Sequence, residues 1–349
     1  MNIADNNLSS LQRTVALQRL TALWAFTESG LGGVMHALQI PFTGLLVGGM
    51  AVIMISMIAE ISEHNYKQIL KSALIVLIVK AMVSPHTPFP AYIAVSFQAL
   101  LGYCLFSLMK VNFISVLLLS TVAMIESAIQ KILVLTLFFG ESLWKAADGM
   151  IALLVNQLGY TALNGSYWII ALYLGIYIAG GFLIAWLALR TIKNTYADKA
   201  VLIMEPAAIA ITENLSLIKP SGKNKFKKLW VQIGLLVCLS TLLFFFASDT
   251  RQGWLAVANT ISWTLSAILI WYMLISPLFT KVIQKFLQKK QSRYSDEVLQ
   301  ILSFIPVLRQ LSIQAWQHSR LSTGLKRWNH FVSLLIHATL TYTEPSEAK

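Results

Sequence analysis

The stretch WAFTESGLGGVMHALQIPFTGLLVGG, from Trp24 to Gly49, places an acid and a histidine inside an otherwise apolar run. These two residues are Glu28 and His36, and two glycine pairs and Pro41 punctuate the run. Small residues allow membrane helices to pack closely, and a proline interrupts or begins a helix. The stretch therefore predicts two packed membrane helices joined by a polar turn.

Composition extends this prediction to the whole chain. Of its 349 residues, 56% are hydrophobic and 12% are charged, whereas about 25% of the residues in a soluble domain are charged. Such a chain cannot hide its apolar surface in one aqueous core, and long apolar runs are typical of membrane helices rather than of a β-barrel. We therefore expect an all-α polytopic integral membrane protein with about eight transmembrane helices and additional cytoplasmic amphipathic helices.

Lysine and arginine orient the predicted spans, because cytoplasmic loops carry an excess of both. The eight spans cover approximately residues 20–38, 40–61, 69–83, 91–109, 113–140, 167–189, 229–247 and 254–279, with a mixed segment at 141–165. When the N-terminus is placed inside, the basic loops fall on one side of the membrane. We expect a multi-pass protein of the cell (cytoplasmic or inner) membrane with both termini cytoplasmic and without a cleaved signal peptide.

A basic stretch divides the chain into three parts. Residues 1–190 are predicted to form a six-helix membrane module, 191–228 a basic cytoplasmic linker, and 229–349 a two-helix hairpin followed by cytoplasmic coupling helices. The net charge of +12 is assigned to loops beside the lipid bilayer and not to nucleic-acid binding, since no basic-aromatic module is visible.

Ionisable residues at membrane depth are the candidates for function, because each costs about 2.5–3.5 kcal/mol at a helix centre and needs a role or a partner. The candidates are Glu28, His36, Glu60, Lys80, His86, Glu126 and Lys131, together with the polar Gln98.

Glu28 and His36 are eight residues apart and can share one helix face. Two interpretations stay open: a ligand or proton site that opens outward, or a structural pair of Glu28 with Lys80 or Lys131 while His36 lies at the interface.

Motifs for catalysis are missing from the sequence. It contains no HExxH, GxSxG or Walker A motif, so no catalytic residue is assigned, no cofactor is expected, and metal ligation is left unassigned. An alternative hypothesis is a membrane enzyme that acts on a lipid or isoprenoid, with Glu28, His36 and Glu126 as acid, base or metal ligands. A third is a non-catalytic membrane scaffold.

The C-terminal stretch from 302 to 340 predicts two amphipathic helices with a break near Gly324 and a basic junction at Arg320, Lys326 and Arg327. Such helices lie either on the membrane surface or in the groove of a partner.

This C-terminal stretch resembles the coupling region of the transmembrane T component of energy-coupling-factor (ECF) transporters. The similar positions are FIPVL at 304–308, then Ala315, Ser319-Arg320 and Gly324-Leu325, whereas Leu321 stands where a small residue is typical. The resemblance implies that Ala315, Ser319 and Arg320 dock in a groove of separate ATPase subunits. We include Arg327 of the basic junction among the coupling residues.

Residues 20–190 resemble the substrate-binding S component of the same transporters, with six spans and a His-x-x-x-Ile-Pro-Phe turn beginning at His36. The resemblance implies a membrane transporter subunit that binds a small vitamin-like molecule near the outer face. By location, and with Glu28 added from its depth in the membrane, the predicted substrate-binding residues are Glu28, His36, Gln39, Thr43, His86 and Gln98.

Overall fold

The computed structural model describes residues 10–37, 42–84, 87–157, 165–197 and 250–342. Every regular element within these ranges is helical, which confirms the all-α prediction. The α-helices, numbered in chain order, are α1 (Ser10–Phe26), α2 (Gly32–Ala37), α3 (Thr43–Ile61), α4 (Lys67–Val83), α5 (Phe89–Met109), α6 (Phe113–Phe139), α7 (Glu141–Gln157), α8 (Gly165–Ala197), α9 (Thr250–Ile270), α10 (Ser276–Gln291), α11 (Ser295–His318) and α12 (Gly324–Thr341).

Six helical segments in the described part of the chain are long and apolar enough to cross a membrane. They are Thr43–Ile61, Phe89–Met109, Phe113–Phe139, Gly165–Asn194, Val257–Gln291 and Ser295–His318. Because a helix needs about 20 apolar residues to cross the hydrocarbon core, these segments confirm a polytopic membrane protein.

Several predicted spans take a different form in the structure. The first is divided into α1, a π-helical turn at Thr27–Leu31 and α2. The third, predicted at 69–83, is a single helix, α4, whose 17 residues are fewer than the about 20 that cross the hydrocarbon core. The span predicted at 229–247 lies outside the described residues, as does most of the predicted linker. Ser295–His318, predicted to be cytoplasmic, also has the length and composition of a span. Its cytoplasmic location therefore stays a prediction.

Helix α3 is almost entirely buried among its neighbouring helices. Nearly all of its side chains from Val47 to Ile61 are buried, and it contacts α1, α4 and α5. Glycines allow close contacts between helices. A Cβ placed on Gly102 of α5 would lie 2.6 Å from Ile55 Cγ2 of α3, and one on Gly49 of α3 would lie 2.8 Å from Ile184 Cδ1 of α8. Close helix packing is therefore the function of these glycines, as expected for small residues in membrane helices.

A second π-helical turn, Trp271–Ile275, joins α9 to α10. It ends two residues before Pro277, which has no N–H for the helical hydrogen-bond pattern and whose ring crowds the preceding turn. A locally widened turn relieves this crowding without ending the helix.

The C-terminal helices pack on the first part of the chain. Helix α11 contacts α1 and α4, and α12 contacts α11 and α1. Lys71 Nζ of α4 lies 3.0 Å from Glu297 Oε1 of α11, and Arg19 Nη1 of α1 donates to the carbonyl oxygen of Leu340 at 2.7 Å. The C-terminal helices thus belong to the same packed group as α1 and α4.

The contacts define two compact units. One takes its described residues from Met1–Ser127, Ile178–Thr212 and Ile283–Lys349, and the other from Ala128–Tyr177 and Glu213–Val282. In the second unit, Trp263 Nε1 donates to the carbonyl oxygen of Leu137 at 3.1 Å, and the rings of Phe138 and Trp271 meet edge to face. The sequential division at residues 190 and 228 stays a prediction about the chain.

Two glycines of α8 give a matched test of this packing. We expect Gly181→Ala to lower the free energy of unfolding by about 1–3 kcal/mol, because overpacking must move backbone and the added Cβ would lie 2.8 Å from Thr121 Cα. No heavy atom of the described residues lies within 4 Å of a Cβ placed on Gly175, so Gly175→Ala should be neutral or slightly stabilising. Thermal unfolding in detergent measures both, and equal losses would contradict the packing described here.

Candidate functional site

A buried ion pair connects the first π-helical turn to α4. Glu28 lies on Thr27–Leu31, and its Oε2 is 2.6 Å from Lys80 Nζ. The two side chains are 4% and 3% exposed. The sequence left Lys80 and Lys131 open as partners of Glu28, and the structure places Lys80 beside it.

The pair lies where the ends of several helices meet. Lys80 is in the last turn of α4, and its Nζ lies 5.9 Å from the ring centroid of Tyr92 near the start of α5. Thr87 Oγ1 donates to Ser84 Oγ at 3.0 Å, and a Cβ on Gly33 of α2 would lie 3.5 Å from the same oxygen. Because the ammonium faces both a carboxylate and an aromatic ring, its charge is compensated from two sides.

The stability of the fold is expected to be sensitive to the loss of either member of this pair. Removing two charges from water costs several kcal/mol per ion, and only good geometry repays it. Two further polar atoms nearby in sequence, Trp24 Nε1 and Ser29 Oγ, are buried and have no hydrogen-bond partner in the described part of the chain. A buried polar group without a partner costs about 1–3 kcal/mol, so leaving these two atoms unpaired is unfavourable for the fold. Both atoms keep their capacity to form a hydrogen bond.

Gln98 of α5 forms a second polar point against α3. It is 2% exposed, and its Nε2 lies 3.0 Å from where a Cβ on Gly48 would stand. Met124 and Ser127 of α6 approach the same position. Gln98 Oε1 is buried and has no hydrogen-bond partner among the residues described. Glycine at position 48 therefore makes room for the amide of Gln98 between three helices.

The other predicted binding residues are only partly described. Thr43 begins α3 and is buried. His36 lies on α2, but its side chain is outside the described structure, as are Gln39 and His86 altogether. The grouping of these residues with Glu28 and Gln98 into one binding site stays a prediction.

Tyr92, whose ring lies beside Lys80, was not among the site residues predicted from the sequence. An aromatic residue in an apolar helix gives no signal of its own. The short connection between α4 and α5 is the feature that could have indicated it, because such a turn brings the end of one helix beside the start of the next.

The predicted coupling residues divide between the interior and the surface. Ala315 and Ser319 are fully buried within the chain, and Ser319 Oγ donates to the carbonyl oxygen of Trp316 at 2.8 Å. Arg320 is exposed, and the guanidinium of Arg327 lies 4.2 Å from the ring centroid of Trp316. Of the four residues, Arg320 and the half-buried Arg327 carry the charge at the corner between α11 and α12, next to the exposed Lys326. The docking role of all four residues stays a prediction.

The described residues hold no group of three or more histidine, cysteine or acidic side chains that could bind a metal ion. Comparisons with models of protein families, with curated proteins and with solved structures find no match. The fold therefore defines the protein as an all-α multi-pass membrane protein, and its function is inferred from the site.

A double-mutant cycle tests the buried pair. We expect Glu28→Gln and Lys80→Met each to lower the free energy of unfolding by about 3–5 kcal/mol, because each leaves its partner buried and uncompensated. The double variant should be more stable than either single variant. Thermal unfolding in detergent measures how far the free energy of unfolding of each of the three variants differs from that of the unchanged chain.

The exposed pair of Lys145 and Glu141, 3.2 Å apart on α7, is the control, since exposed pairs one helical turn apart contribute about 0.3–0.5 kcal/mol. Additive losses at Glu28 and Lys80 would mean that the two side chains do not stabilise each other.

Proposed function

We propose that this chain is the membrane subunit of a transport system that binds a small vitamin-like molecule at the Glu28–Lys80 end of its helices and couples to separate ATPase subunits through α11 and α12. The observation that carries the proposal is that α1 and α4 connect both places. Each of these helices leads from the buried pair to a contact with the C-terminal helices.

The chemistry of the pair supports a functional role. Ionisable side chains within membrane helices are costly, and those retained commonly mark a substrate or ion pathway. Glu28 also lies on a π-helical turn, and such turns are frequent at functional sites. The unpartnered Ser29 Oγ and Gln98 Oε1 add hydrogen-bonding capacity to the same group of helices.

The spacing along α1 and α4 supports coupling. Arg19 precedes Glu28 by nine residues, and Lys71 precedes Lys80 by nine residues, which is about 13 Å along a helix. Arg19 binds the end of α12 and Lys71 pairs with α11. Since packed helices transmit displacement as rigid elements, a movement of α11 and α12 would reach both members of the buried pair.

Charge supports the proposed orientation. The contacts with α11 and α12 are made by basic residues, Arg19 and Lys71, and basic residues concentrate on the cytoplasmic side. The pair of Glu28 and Lys80 then lies toward the outer side, and ATPase subunits reach α11 and α12 from the cytoplasm. We propose the cell membrane as the location, with both termini cytoplasmic.

A purification experiment tests the partner. The intact chain, an Arg320→Glu variant and an Arg309→Glu control are purified in mild detergent from their native host, and copurifying proteins are identified by mass spectrometry. Both arginines are exposed, but only Arg320 lies at the corner between α11 and α12. We expect ATPase subunits with the intact chain and the control, and at least tenfold less with Arg320→Glu.

Two results would contradict the proposal. One is the absence of an ATPase from all three samples. The other is turnover of a lipid or isoprenoid by the purified chain alone that is lost in Glu28→Gln, which would favour the enzyme hypothesis.

A further inference from the structure

Helix α10 carries two exposed stripes side by side. Leu278, Val282 and Phe286 recur every fourth residue, and these side chains are 62%, 58% and 54% exposed. Lysines follow each of them three residues later, at 281, 285 and 289, and all three are exposed. Three residues correspond to about 300° of helical rotation, so each lysine lies about 60° round the helix from its apolar neighbour.

One residue of α10 is buried against the chain itself. Leu287 is 5% exposed, although Phe286 beside it is largely exposed. Leu287 is therefore covered by the chain, while the apolar and basic stripes face outward. Helices with lysines beside exposed phenylalanine and leucine are typical of the membrane interface, where the apolar side chains enter the acyl boundary and the ammonium groups reach headgroups.

The length of the helical run agrees with this placement. Val257–Gln291 is a run of 35 residues, about 52 Å long, whereas about 20 residues cross the hydrocarbon core. Part of the run must therefore extend beyond the core. Its lysines all come in the final part, from Lys281 onward, where a membrane helix passes into the headgroup region.

We propose that α10 is a binding surface for anionic phospholipid headgroups, with Lys281, Lys285 and Lys289 binding phosphates and Val282 and Phe286 entering the adjacent acyl region. Charge complementarity selects the lipid: three ammonium groups in one row attract phosphatidylglycerol and not the zwitterionic phosphatidylcholine. This surface does not depend on the proposed transport function.

A lipid titration tests the proposal on the full chain in detergent. Dioleoyl phosphatidylglycerol or dioleoyl phosphatidylcholine is added, and the thermal unfolding midpoint is followed at low and high salt. We expect phosphatidylglycerol to raise the midpoint, less so at high salt, and phosphatidylcholine to leave it nearly unchanged. The triple variant Lys281→Gln, Lys285→Gln and Lys289→Gln should need on the order of 100-fold more phosphatidylglycerol, about fivefold for each lysine.

Matched variants separate lipid binding from a folding defect. The triple change of the same lysines to arginine keeps the charge and should respond like the unchanged chain, as should Lys145→Gln on α7. The single Lys285→Gln variant should show about a fivefold shift and serves if the triple variant does not fold. The proposal is overturned if the glutamine variants respond like the unchanged chain, or if the two lipids stabilise it equally.

Discussion

Glu28 and Lys80 compensate each other's charge in the interior of the fold, where their carboxylate and ammonium groups lie 2.6 Å apart. Both side chains are almost fully buried, and an isolated charge in such surroundings costs far more than any single hydrogen bond returns. The pair therefore fixes how the π-helical turn lies against the end of α4. Tyr92 extends the constraint to α5, because its ring approaches the same ammonium.

The buried pair is connected to the C-terminal helices through α1 and α4, which belong to the first compact unit. Glu28 continues the helical path of α1, and Lys80 belongs to α4, so the positions of both charges follow from how these helices pack. The same helices hold α11 and α12 through Lys71 and Arg19. A displacement of the C-terminal helices that kept these two contacts would move α1 and α4 with them, and this is the physical basis for the proposed coupling role.

Much of the architecture could be predicted from the sequence because its cause is local. Long apolar runs predicted membrane helices, and the glycine pairs predicted close packing, which Gly49 provides. Lys80 could be foreseen as one of two partners for Glu28, since a buried acid requires a nearby cation. The sequence could not choose between them, because the choice depends on which helix packs against the π-helical turn.

Other features depend on tertiary packing and had no local signal. The burial of Ala315 and Ser319 follows from the docking of α11 on α1 and α12, so small residues that resembled a docking motif face the chain's own interior. The division of the first span by a π-helical turn was not predicted either. A turn of this kind without proline depends on packing, whereas the one at Trp271–Ile275 follows from Pro277.

The proposed coupling between the C-terminal helices and the buried pair is tested most directly by hydrogen–deuterium exchange on a Glu297→Lys variant. This change replaces the ion pair with Lys71 by two like charges but leaves Glu28 and Lys80 unchanged. We expect faster exchange at Thr27–Leu31 and at the end of α4, and no such change in a Glu141→Lys control, which disrupts an exposed pair on α7. Faster exchange limited to α11 and the start of α4 would contradict coupling between the two ends.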